Sequence, residues 1–105
     1  MRRGDLFWAD LPGPAGRRPV VIVSRSKAVE VRTSVTVAPV TRTIRRIQSE
    51  VPLDSKQGLR SRSVANCDSL RTISKGRLSR KIGSLDSGKL EELDHALRYA
   101  LGIRT

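Results

Sequence analysis

Arginine dominates the side chains of this sequence that could do chemistry. Lys and Arg number 21 against 10 Asp and Glu, with one histidine, His95, and one cysteine, Cys67. One thiol and one imidazole build neither a disulfide framework nor a multi-cysteine zinc centre, so no metal or other cofactor is expected. They also exclude proton transfer by a pair of imidazoles. What remains is the guanidinium fork, which meets two phosphate oxygens at once. An RNA phosphodiester carries its own nucleophile. Once the 2′-hydroxyl is deprotonated and aligned on phosphorus, a protein need supply only a base, an acid for the leaving 5′-oxygen and cations for the charge gathering on phosphorus.

Two places have the residues for part of this. Arg17-Arg18 ends a Gly/Pro loop, Leu11 to Gly16, and leads into the apolar run Pro19 to Val23, so a cation there is anchored on a rigid element. Further on, Asn66, Asp68, Ser69 and Arg71 set a carboxylate among polar and cationic neighbours, as a base, an orienting group or an ordinary ion pair. Thr41 closes the run Val37 to Val40, where a hydroxyl commonly satisfies backbone. Residues 42–81 hold eleven Lys and Arg, Arg42, Arg45 and Arg46 among them, against Glu50, Asp54 and Asp68. Nine of the eleven have polar or loop-forming neighbours and are expected to be exposed. Such an imbalance points to a polyanionic partner. Aromatic residues are few. Phe7 and Trp8 are adjacent in a strand-like run and must face opposite ways, which leaves at most one base-stacking surface.

The elements that would carry these groups read as strands first and one helix last. Leu6 to Leu11 is short and bounded by turn formers, while Arg18 to Ser24 is β-branched and continuously apolar, as in a strand covered on both faces. Thr33 to Val40 alternates Thr/Ser with Val, and Pro39 is expected at its end or on an edge. Glu50 to Leu53 and Ser63 to Arg71 complete a small open barrel. Leu90, Leu93, Leu97 and Leu101, with Ala96 and Ala100, then fall on one helical face, with Asp86 placed to cap the start and Gly102 the end. The fold class is α+β, one domain over 1–105. A domain this small gains from oligomerisation. The longest apolar run is too short to span a bilayer and no apolar signal segment follows Met1, so a reduced, cytoplasmic setting without membrane contact is expected.

Taken in order, several segments resemble the MazF/PemK family of toxin endoribonucleases: Arg3-Gly4-Asp5-Leu6, Gly16-Arg17-Arg18-Pro19-Val20-Val21-Ile22-Val23-Ser24, Val37-Ala38-Pro39-Val40-Thr41, Cys67-Asp68-Ser69-Leu70-Arg71-Thr72-Ile73, Arg77 to Gly83, and Leu90 to Ile103. The resemblance implies an SH3-like β-barrel with a C-terminal α-helix, forming a homodimer. It implies metal-independent, sequence-selective cleavage of single-stranded RNA by 2′-hydroxyl attack, and inhibition by a cognate antitoxin through an acidic, disordered segment. It makes Arg18 the phosphate-polarising arginine, Thr41 the threonine bonded to the scissile phosphate, and Asp68 the acidic position. Arg17, Arg42, Arg45, Arg46, Ser69 and Arg71 are expected beside them as RNA-binding residues. Ser69 stands where many relatives have Gln. Alternatives are a non-enzymatic gyrase poison of the CcdB kind on the same barrel, or a basic RNA-binding scaffold.

Overall fold

The computed structural model describes residues 1–104. Seven strands and two helices follow in the order β1 (Asp5–Leu11), β2 (Gly16–Ile22), α1 (Ser26–Val31), β3 (Ser34–Thr41), β4 (Glu50–Leu53), β5 (Ser63–Asn66), β6 (Arg71–Ser74), β7 (Leu78–Ser84) and α2 (Ser87–Leu101). Single 3-10 turns interrupt the chain at Gly13–Ala15, Ser55–Gln57, Cys67–Ser69 and Lys75–Arg77. The strands form one antiparallel sheet, β4-β5-β3-β2-β1-β7, with β6 also on β3. It is curled into a half-barrel.

The unbroken apolar run of β2 is explained by a core on each side of the sheet. Val21 packs with Leu6, Ala38, Val40 and the α2 residues Leu93 and Ala96. Val20 and Ile22 point the other way, into a second core with Ala9, Val35, Val37 and Val29 of α1. Period two along a strand puts successive residues into different cores, so both parities must be apolar.

Helix α2 starts and stops where its caps lie. The Asp86 side chain accepts from the Lys89 backbone N–H at 2.9 Å, and Gly102 takes the left-handed conformation with φ +68°. Leu93 and Ala96 are fully buried and Leu90 and Leu97 partly so, but Leu101, expected on the same face, is 58% exposed in the last turn.

Three other expectations need correction. Pro39 is neither terminal nor at an edge: it is buried within β3 opposite Val20. Its missing N–H costs nothing there, because it falls between the stretch of β3 paired with β6 (Ser34 to Val37) and the stretch paired with β5 (Val40 and Thr41). The run 63–71 is not one strand. Asn66 accepts the Asp68 backbone N–H on its side chain at 2.9 Å and turns the chain through Cys67–Ser69, so Asp68 and Ser69 occupy a turn. Helix α1 also separates strands expected to follow one another directly.

Two glycines bring the turn before β5 against β7. At Gly58, with φ +93°, an added Cβ would sit 2.6 Å from the Ile82 carbonyl oxygen, and at Gly83 it would run into the Gln57 carbonyl oxygen. Beside this contact the curled sheet leaves a gap.

Candidate nucleic-acid interface

That gap is a cleft of about 710 Å³. Strand β2 and the end of β3 form one wall, and β7 with the segment after Gly58 forms the other. The β2–β3 ladder ends at the pair Val20–Pro39; Arg18 and Thr41 stand two residues beyond it on their own strands, and both line the cleft. Arg18 is half-buried and its Nε donates to the Ala15 carbonyl at 3.1 Å, leaving the two terminal nitrogens for a ligand. Thr41 Oγ1 accepts the Thr43 backbone N–H at 3.2 Å, so the hydroxyl keeps its own proton to donate. This is the backbone-satisfying role expected of Thr41, now beside an arginine.

The electrostatics have one sign. Arg17, Arg18, Arg42, Arg60, Arg80 and Lys81 line the cleft and no carboxylate does. Among the described residues the ion pairs are Arg3–Asp94, Lys81–Asp5 and Lys89–Glu92, which leaves the five cleft arginines without a carboxylate. Of the eleven cations in 42–81, nine are exposed, and Arg71 and Lys75 are half-buried. Like charges gathered in one concavity, unpaired, are a site for an anion.

The remaining residues singled out from sequence divide. Arg17 and Arg42 share the cleft with Arg18 and Thr41. Arg45 and Arg46 stand in the exposed loop after β3, where both backbone N–H groups donate to Oε1 of buried Glu50 at 3.0 Å and Arg46 is held at φ +60°. Arg71 reaches across to the Pro12 carbonyl at 3.0 Å and braces the β1–β2 loop. Asp68 and Ser69 lie outside the cleft lining. The Asp68 carboxylate accepts from Ser49 Oγ at 2.5 Å, and Ser69 Oγ accepts from the Asn66 amide at 3.2 Å. Asp68 also acts on its neighbour: burial, then the Asp68 charge, pushes the Cys67 thiol up to about 11.

Trp8, Arg60, Arg80 and Lys81 also line the cleft, although none was among the site residues assigned from sequence. The last three belong to the basic stretch 42–81, but only the curling of the sheet brings them opposite β2. The strand alternation of Phe7 and Trp8 did carry a signal: Phe7 packs against the second core, and Trp8 faces the cleft.

Fold and site together define a class, the small half-barrels that turn a cationic, carboxylate-free cleft toward a polyanion. The chain belongs to the family of PemK-like, MazF-like toxins of type II toxin–antitoxin systems, whose pattern it matches over residues 2–101. It is 42% identical over 85 residues to endoribonuclease MazF3 of Mycobacterium tuberculosis, an alignment covering 81% of this chain and 79% of that one. Among solved structures it superposes on the Mycobacterium tuberculosis toxin MazF-mt6 with a TM-score of 0.90 at 36% identity, covering 96% and 99% of the two chains. A mycobacterial endoribonuclease solved in complex with its cognate antitoxin gives 0.89 at 27% identity, covering 100% and 98%. Among the described residues, no helix is long and apolar enough to cross a membrane.

Proposed function

We propose that this chain is a single-domain, sequence-selective endoribonuclease toxin. In this reading it cuts single-stranded RNA without a metal and leaves 2′,3′-cyclic phosphate and 5′-hydroxyl ends. One observation carries the proposal: Arg18 and Thr41, each two residues past the last β2–β3 pair, line one cleft that holds six cations and no carboxylate. The scissile phosphate sits between them. The Arg18 terminal nitrogens take two of its oxygens, and the Thr41 hydroxyl donates to one of them. As the ribose 2′-oxygen attacks phosphorus, negative charge grows on those oxygens. Preorganised donors in a partly desolvated cleft stabilise that charge more than they stabilise the ground state. The 2′-oxygen is part of the substrate, so the nucleophile arrives already positioned. The P–O5′ bond breaks as the P–O2′ bond forms, and the proton lost by the 2′-oxygen is passed by Arg18 or water to the leaving 5′-oxygen. Asp68, expected as base or orienting group, lies outside the cleft lining, bonded to Ser49, and takes no direct part.

The named activities of the relatives support the endonuclease reading, and the antitoxin complex of a structural neighbour supports an antitoxin partner. An acidic, disordered antitoxin segment entering this cleft would meet the cations that bind phosphate. We propose a homodimer in the cytoplasm as the working form.

Incubating the purified protein with a long single-stranded RNA in EDTA tests the reading. Discrete fragments with cyclic phosphate ends are expected. Intact RNA, or cleavage restored only by added divalent cation, overturns it.

A further inference from the structure

We propose that Trp8 and Arg17 form a nucleobase subsite in the cleft, stacking a base next to the phosphate held by Arg18 and Thr41. The inference rests on the reading of the cleft as an RNA site and adds what selects among substrates there. Trp8 opposes Pro19 in the β1–β2 ladder, and Arg17 is its diagonal neighbour on the same face, with the guanidinium carbon 5.0 Å from the indole centroid. Diagonal neighbours on a sheet are within reach of long and aromatic side chains.

An ordinary structural tryptophan would be buried in a core. Trp8 belongs to neither apolar core, is only half-buried and lines the cleft, whereas adjacent Phe7 does pack inward. It is the only aromatic residue of the cleft lining, and its indole N–H has no hydrogen-bond partner among the described residues. A guanidinium offers two flat faces. The guanidinium stands over the indole with its carbon 5.0 Å from the ring centroid, and because Arg17 is exposed its outer side is open to a base. Stacking alone accepts any base, because every base has a π-face. The unpaired indole N–H adds a donor that favours a base presenting an acceptor. With phosphate gripped at Arg18 and Thr41, the attached nucleoside stays within the same 710 Å³ space.

Trp8 is the only tryptophan of the chain, so its fluorescence reports on this subsite alone. The probe is a short oligodeoxynucleotide, which lacks the 2′-hydroxyl and remains uncut, compared with the same strand made abasic and with inorganic polyphosphate. Saturable quenching or a spectral shift with the base-bearing strand, and little change with the other two, is expected. Equal responses to all three, or none to any, overturn the subsite. In a parallel anisotropy titration, Trp8→Ala is expected to weaken binding of the base-bearing strand by roughly tenfold or more. Trp8→Phe is expected to recover most of that loss, and binding of the abasic strand should hardly move. Loss of equal size on both strands overturns the proposal, since a merely structural role predicts it. Uncut RNA with a responding indole overturns the nuclease and supports the subsite; cut RNA with a silent indole does the reverse.

Discussion

Arg18 is tied at Nε to the Ala15 carbonyl, so its direction is set before any ligand arrives. Replacing it by Lys keeps the charge but loses both the tether and the fork. Arg18→Ala and Arg18→Lys are therefore expected to lower the cleavage rate at saturating RNA by about 10²- to 10³-fold, the usual cost of one donor aimed at developing charge. RNA affinity should change little, since five other cations remain. A loss in affinity alone would mean that Arg18 binds without catalysing. Thr41→Ser is expected to keep the activity that Thr41→Ala loses, because the hydroxyl is what Thr41 contributes. Cys67 gives a pH test of the packing. Its thiol titrates near 11 in the fold against an ordinary 9.0, first through burial and second through the Asp68 charge. The native state thus holds a proton that the unfolded chain gives up between about pH 9 and 11. The stability from this group is whole below pH 9 and is lost as pH rises toward 11. Urea midpoints should fall across that window in the wild type and fall less in Cys67→Ala; equal slopes would place the thiol in contact with water.

Helix α2 was readable because its leucine spacing and both caps lie within one stretch of sequence, so a local pattern suffices. Asp86→Ala is expected to cost about 1 kcal/mol through loss of the bond to Lys89 N–H. Strand β7 was not readable. Leu78-Ser79-Arg80-Lys81-Ile82-Gly83 has no clean alternation, and what makes it a strand is its long-range pairing with β1, whose register slips between Leu6 and Ala9. The division of 63–71 depends on one side chain, Asn66, taking a backbone donor away from strand pairing. The same division accounts for the site. Arg18 and Thr41 stand at strand ends inside recognisable segments, whereas Trp8, Arg60 and Arg80 meet only after the sheet curls. Gly58 and Gly83 hold that curl. Gly83→Ala meets the Gln57 backbone, which cannot swing aside as a side chain would, so unfolding free energy should drop by roughly 1–3 kcal/mol. A calorimetric midpoint unchanged by Gly83→Ala would show that β7 and the 55–57 turn move apart freely.

At the scale of the whole molecule the formal charge is +11, but its distribution matters more than its sum. The solvent face of α2 is mildly acidic, with Asp86, Glu91, Glu92 and Asp94 against Lys89 and Arg98, while every charged residue lining the cleft is a cation. A strand of RNA and an acidic peptide are both drawn to one place, and a bound anion there releases counterions. For single-stranded nucleic acid the slope of log affinity against log salt is about −0.7 per phosphate neutralised. With about five of the six cleft cations engaged, the slope should be near −3.5, a loss of roughly a hundredfold between 50 and 200 mM salt. Arg60→Ala combined with Arg80→Ala removes two cations that touch neither Arg18 nor Thr41 through any hydrogen bond. The pair should reduce the slope by about 1.4 while leaving the maximal cleavage rate near that of the wild type. Such a split separates long-range attraction by the β7 side of the cleft from the chemistry on the β2–β3 side. A slope unchanged by the double substitution would mean that RNA follows another path over the protein.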